Sequence, residues 1–354
     1  MMFRPARTLL ARLLARGVDV LPGLGLTMPI AAVATLIGTL LPILGAALPA
    51  IVIGVAIAVV RRPAARFVPG IEFSGRFLLQ LAVVLLGAQL SLGAILAVGA
   101  ESLPVMASTL IVCLFGAWAI GRALRVPSRL RTLIGVGTGI CGASAIAAVS
   151  PVIGALSAEV SYAISTIFVF NVLAVVLFPL LGHALGLDPH TFGLLAGTAV
   201  NDTSSVVATA SVFGAAALGY AVVVKLVRTL MIIPISVGLS VIEARRAARE
   251  GSPDGSAAPS ITPRRLIGLV PWFLVGFLLL AVLASIGAIP PTPRDVLAHV
   301  SAFLIATAMA GIGLSTDLGA LRSAGWRPLA LGGILWILVT ATSLAVIAVT
   351  GFGR

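Results

Sequence analysis

The sequence predicts an all-α polytopic membrane protein with about eleven transmembrane helices. Three observations predict it. Of 354 residues, 60% are hydrophobic and only 10% charged, with a mean hydropathy of +1.18, whereas a soluble globular chain carries about 25% charged residues. Apolar segments near the roughly 20 residues needed to cross lipid recur along the whole chain. The basic residues gather in alternate connections, the pattern that keeps Arg and Lys on the cytoplasmic side. This composition excludes a cytosolic enzyme, a secreted disulfide scaffold and a disordered chain, because the polar surface to coat a water-soluble body is missing.

The elements follow in order. Met1 to Gly17 sets Leu9, Leu10, Leu13 and Leu14 against Arg7, Arg12 and Arg16. This is an amphipathic segment suited to the cytoplasmic interface, with no cleavable signal expected. Spans are expected at 21–42, 45–60, 77–98, 104–123, 132–155, 160–182, 191–213, 219–241, 266–287, 298–314 and 328–350. With a cytoplasmic N-terminus they place inside five Arg-rich segments that hold 19 of the 23 basic residues: Arg4–Arg16, Arg61–Arg76, Arg122–Arg131, Arg245–Arg265, and Arg322 with Arg327. Gly99–Leu103 with Glu101, the Glu159 loop and Ala288–His299 are placed outside. The net charge of +12 therefore reads as topology and not as a nucleic-acid surface, which needs Arg clustered on one folded face. Glu243–Arg265 is Ser/Gly/Pro/Ala-rich at its centre and reads as a cytoplasmic linker. The expected organisation is a cytoplasmic segment at 1–20, a transmembrane block at 21–242, the linker at 243–265 and a second block at 266–354. Cys113 and Cys141 sit in apolar runs and call for no disulfide.

Three segments carry chemistry. Asn201-Asp202-Thr203-Ser204-Ser205 puts five consecutive polar side chains inside an apolar span. A carboxylate at that depth costs about 2.5–3.5 kcal/mol and marks pathways or proton relays. Asn, Thr and Ser favour bonds to their own backbone over regular helix, so an unwound stretch after Gly197 is expected; the bland alternative is an interhelical clamp. Lys225 and Arg228 lie three residues apart on one helix face inside span eight. Pairing with Asp202 would leave one positive charge over and favour an anion, with snorkelling to an interface as the alternative. On this reading, neutralising either cation abolishes transport and leaves folding intact. Gly135-Val-Gly137-Thr138-Gly139-Ile-Cys141-Gly142-Ala-Ser144 contains a formal G-x-G-x-x-G. That fingerprint needs a strand and a βαβ unit around it, so a dinucleotide site is rejected in favour of a second helix break. Half-helix ends there would offer N–H groups and a positive dipole to an anion, and Thr138 and Ser144 could add hydroxyls. Close packing of small residues explains the glycines equally well.

The remaining signals are weaker. His183, His190 and His299 lie near span ends without metal-ligand spacing. Asp317 reads as a helix cap or a partner of Arg322, and the Trp residues (118, 272, 326, 336) as including interface anchors. No P-loop, zincin helix or nucleophile elbow is present, so no enzyme activity and no cofactor are expected.

Two internal echoes appear. Gly137–Ala148 aligns without gaps to Gly197–Ala208, and Leu86–Leu96 resembles Ala310–Arg322. Repeats of this kind occur in transporters built by inversion. The second pair falls on spans that run oppositely, as inversion requires. The first falls on spans five and seven, which run the same way. Either one echo is coincidence, or one of those segments does not fully cross.

The blocks at 137–155, 196–210, 223–234 and 305–322 resemble the YeiH family of bacterial inner-membrane proteins, labelled as sulfate exporters. The likeness runs from about Leu21 to the end. The resemblance implies a fold of the bile-acid symporter and cation–proton antiporter class: inverted repeats, and a core with two broken helices that cross, here at Cys141–Ser144 and Asn201–Ser205. Asn201-Asp202 is also similar to the Asn-Asp pair of electroneutral sodium–proton antiporters. That likeness implies Asp202 as the coupling-ion site for H⁺ or Na⁺, with Lys225 or Arg228 as its alternate partner. The expected function is secondary transport of a small anion, sulfate by the family label, across the bacterial inner membrane, with a homodimer as the candidate assembly. A monovalent cation–proton antiporter is one alternative, and a non-transporting membrane sensor or assembly subunit the other.

Overall fold

The computed structural model describes residues 4–40, 45–249, 272–315 and 326–351. Side chains of residues 4–18, 244, 246–249 and 291 are not described. The amphipathic pattern of Met1–Gly17, most of the linker, and Asp317 with Arg322 therefore lie outside the described residues, as does part of the second echo.

Every element among the described residues is helical, and no strand occurs. The helices are α1 (Arg4–Leu40), α2 (Ala47–Val60), α3 (Val68–Phe73), α4 (Leu79–Leu86), α5 (Leu92–Ala123), α6 (Ser128–Gly139), α7 (Ala143–Val149), α8 (Ser157–Ala184), α9 (Pro189–Ala199), α10 (Thr203–Phe213), α11 (Ala215–Leu230), α12 (Ile232–Arg249), α13 (Trp272–Ser285), α14 (Pro291–Leu314) and α15 (Trp326–Thr350). Seven stretches among the described residues are long and apolar enough to cross a membrane, and Ala47–Val60, Thr203–Phe213 and Trp272–Ser285 are shorter apolar helices. Large apolar side chains point outward, among them Ile111, Phe115 and Trp118 on α5 and Val176, Leu177 and Leu180 on α8. Contiguous exposure of this kind suits lipid, not water. The chain is a polytopic, all-α membrane protein.

The helices group into two compact units: the described parts of Met1–Gln89 with Leu279–Leu318, and those of Leu90–Leu278 with Gly319–Arg354. In the first, close helix crossings run through glycine. A Cβ on Gly54 of α2 would stand 2.6 Å from the Ala310 carbonyl of α14, and one on Gly313 would stand 2.5 Å from the Ile51 carbonyl. Small residues let backbones approach where lipid supplies no hydrophobic drive. The third crossing is Ala65–Gln89 and not 77–98. Arg66, Glu72 and Arg76 interrupt the hydropathy but not the helix, while Leu90–Ser91 breaks it and Ser91 Oγ caps α5 by accepting from Ala94 N at 3.1 Å. Within that crossing Ser74–Leu78 is π-helical, and Ser74 donates to the Gly70 carbonyl at 2.8 Å and shares a 2.9 Å bond with Thr27.

The second unit holds both interrupted segments, and neither runs straight through. Phe192 near the start of α9 stacks on Phe213 at the end of α10, with ring centroids 3.9 Å apart. Eleven residues of helix on each side would separate them by about 30 Å in a straight rod, so the chain doubles back at Val200–Asp202. Register against α11 agrees: Gly193 faces Ala217–Ala221 and Gly197 faces Ala221–Val224, so α9 runs parallel to α11. Gly214, at φ +128°, turns α10 back into α11. The first segment behaves likewise. A Cβ on Gly137 would lie 2.9 Å from Ile146 across the turn, and one on Gly154, after α7, 3.9 Å from Arg129 at the start of α6.

Thus α6/α7 and α9/α10 are re-entrant hairpins based at opposite ends of α8. This resolves the parity of the first echo, because the two copies are inverted once neither crosses. The two turns, Ile140–Gly142 and Val200–Asp202, lie sixty residues apart, and so to within two residues do the crossings that follow them, Ser157–Ala184 and Ala215–Glu243. The Glu159 loop, expected on the side away from the Arg-rich connections, shares the α6 end of α8 with Arg129. Glu159 there accepts from Leu156 N at 2.8 Å as a helix cap.

Candidate functional site

The two hairpin tips meet beside the middle of α8. A Cβ on Gly142 would stand 3.1 Å from Asp202 Cβ, so the turns are in direct contact. Gly142 sits at φ +70° and ψ −130°, a conformation essentially reserved to glycine. Asn171 on α8, about 20 Å from each end of that helix, binds the second tip. Its Oδ1 accepts from Asn201 N at 3.2 Å and Asp202 N at 3.3 Å, and its Nδ2 donates to Asp202 Oδ2. Asp202 is half-buried and N-caps α10, accepting from Ser205 N at 2.7 Å and Ser205 Oγ at 2.9 Å. A cap of this kind meets free N–H groups and the positive helix end together. Thr203 and Ser204 are half-buried in the first turn that follows.

Lys225 and Arg228 are fully buried, at 0% exposure. They do not pair with Asp202, contrary to the sequence expectation. Lys225 Nζ donates to the Ile140 carbonyl at 2.7 Å and the Val200 carbonyl at 2.9 Å. Arg228 Nε donates to Gly139 at 2.7 Å, one Nη to Thr138 at 2.9 Å and the other to Thr198. The acceptors are the last carbonyls of α6 and α9, left without intrahelical partners and carrying the negative dipole end. Side-chain charges were the only negative partners visible in the sequence. Folding supplies two helix C-termini instead, and they answer the cations first.

The other expected residues are distributed unevenly. Asn201 is 1% exposed, and neither atom of its amide has a partner; the Thr138 hydroxyl is likewise buried and unpartnered. Cys141 is buried at the first tip, while Ser144 is exposed. The glycines before the first turn serve packing: a Cβ on Gly135 would lie 2.5 Å from Ala117 Cβ.

Asn171 lies outside the polar segments that the sequence marks most strongly, though a lone amide in the run Phe168-Val-Phe-Asn-Val-Leu is legible by the rule that singles out Asp202. Away from the tips, Glu101, His190 and Tyr220 form a cluster. His190 Nε2 lies 3.6 Å from Glu101, and Tyr220 donates to the same carboxylate at 3.3 Å. Asp188 caps α9, accepting from His190 N at 2.9 Å and Thr191 N at 3.1 Å, and from the Thr191 hydroxyl. Its burial pushes the carboxyl upward, but these bonds outweigh that and hold it below the ordinary carboxylate range. Trp336 is no interface anchor, since it stacks inside the unit on Phe178 at 5.4 Å. Among the described residues no group of three or more His, Cys, Asp or Glu side chains is placed to hold a metal ion.

Residues 22–332 match the family model of conserved hypothetical protein 698. A UPF0324 membrane protein of Streptococcus pyogenes serotype M6 is 42% identical over 329 residues, covering 92% of this chain and 96% of the relative. Its counterpart in Streptococcus agalactiae serotype V is 40% identical over 94% and 98% of the two chains, and one in Fusobacterium nucleatum 38% identical over 89% and 94%. No solved structure matches the chain.

Proposed function

The chain belongs to the family of conserved hypothetical protein 698, the YeiH-like UPF0324 membrane proteins, and we propose that it is a secondary transporter moving a small anion across the bacterial inner membrane. The single observation that carries this reading is the meeting of two oppositely based hairpins at a polar cluster beside Asn171, halfway along a crossing helix. Non-helical backbone at membrane depth is tolerated only where protein buries it or a cavity needs it. Paired half-helices at the midplane are how many transporters build their sites.

Counted on side chains alone, charge favours an anion. Lys225 and Arg228 bring two positive charges to the tips, against one side-chain carboxylate, Asp202. They act through the helix ends that they bind, while Asn201, Thr203, Ser204 and Ser205 offer direct contacts. Sulfate is the candidate through the family label. Asp202 is the residue proposed to take the coupling ion, H⁺ or Na⁺. The five Arg-rich segments support a cytoplasmic N-terminus, and exchanging two crossings for hairpins is compatible with it.

One observation favours a second reading. Because both cations are engaged by carbonyls, Asp202 is free of them, as a carboxylate that exchanges H⁺ for a monovalent cation would be. Proteoliposomes decide between the two. Labelled sulfate efflux that disappears in Asp202→Asn supports the anion transporter; sodium-driven proton movement without sulfate flux supports the antiporter. Absence of both overturns transport and leaves a sensor or assembly role.

A further inference from the structure

The carbonyls bound by the two cations are related by the repeat. Lys225 joins Ile140 to Val200, and Arg228 joins Thr138 to Thr198; in each case the two acceptors lie sixty residues apart. Arg228 adds Gly139 on the first hairpin only. Each side chain thus touches the same place on both hairpins, and both spring from α11, against which α9 packs in parallel. Of the three donors of an ammonium and the five of a guanidinium, two and three respectively are committed to backbone. Both residues are fully buried, so neither presents its charge to an opening.

We propose that Lys225 and Arg228 are positioning residues: a clasp that fastens the two hairpin tips to each other and to α11, so that the tips travel as one body instead of parting as separate gates. The charge they bring is spent first on geometry. Two helix C-termini at one point repel each other through their dipoles, and without a cation between them the contact of Gly142 with Asp202 would be opposed by both backbones. The clasp itself does not depend on the transport reading; its use in a transport cycle does.

Thiol labelling in a Cys113→Ser background tests it, because Cys141 sits at the first tip and is 4% exposed. In unaltered and Asp202→Asn proteins, Cys141 should react slowly with a membrane-permeant maleimide. In Arg228→Lys, which keeps a charge but cannot span three carbonyls, labelling should quicken about tenfold well below the unfolding midpoint, by local opening of the tips. Should Arg228→Lys not fold, Lys225→Met leaves the guanidinium bonds in place and takes over the comparison. Hydrogen exchange on the unaltered protein needs no variant: segments 137–146 and 197–206 should open together with one rate. Equal Cys141 labelling in folded variants, or tips that open independently, overturns the clasp whether or not sulfate moves. Absence of sulfate flux in the unaltered protein with the tips still joined overturns only the anion-transport reading.

Discussion

The two hairpins share a backbone plan and differ in what they hang on it. Both turn in three residues, at Ile140–Gly142 and Val200–Asp202, and both give carbonyls to the same two cations. The second carries an acid at the N-terminus of each arm, Asp188 on α9 and Asp202 on α10. The first carries none: Pro127 and Gly142 precede its arms without a side-chain cap, and Arg129 stands in the first turn of α6, where the dipole disfavours it. Its second arm has 7 residues against 11. The shared part is scaffold, and the difference is where specific chemistry was added. Side-chain chemistry is concentrated on the tip that Asn171 holds, while the other tip offers mainly backbone.

Four substitutions probe that contrast, in descending order of effect. Arg228→Ala strips carbonyls on both hairpins of a buried charge-assisted partner and should destabilise by about 3–5 kcal/mol, read as a fall in the unfolding midpoint in detergent. This replaces the expectation that neutralising the cation spares the fold. Gly142→Ala acts at the first tip and at its contact with the second. It places a Cβ at φ +70° and 3.1 Å from Asp202 Cβ, at a cost of about 1–3 kcal/mol; an unchanged midpoint would mean that the tips do not touch.

Asp188→Ala acts on the second hairpin alone and should lose about 1 kcal/mol of capping. The sign with pH follows from its lowered carboxyl. The stabilisation is present above the unfolded carboxylate pKa and fades as pH falls through the lower folded value. Unfolding midpoints of the parent and the variant should therefore converge in acid. Asp202→Asn keeps an N-capping side chain, so the midpoint should move least of the four, while coupled flux disappears.

Much of the architecture was legible. Composition identified lipid as the solvent, and the polar run at Asn201–Ser205 marked the second tip. Hydropathy could not distinguish a crossing helix from a hairpin, because twenty-odd apolar residues satisfy either. The clue was the echo whose parity contradicted a straight crossing at 132–155 and 191–213. The partners of Lys225 and Arg228 were illegible for a different reason. Helix-end carbonyls become charges only once the ends are placed, so counting side chains alone pointed to Asp202. Asn171 is a weaker signal than the second tip, since one amide in a 28-residue helix also fits a simple interhelical clamp, whereas five polar residues in a row are more than a clamp needs.

The repeat is also incomplete in one respect. Sixty residues before Lys225 and Arg228 stand Ser165 and Phe168 on α8, so only one of the two equivalent crossings arms itself with cations. A perfect internal two-fold would make the molecule look alike from either face of the bilayer. With both cations rooted in α11, an inverted copy would not be the same structure, and the two hairpins are held from one crossing only.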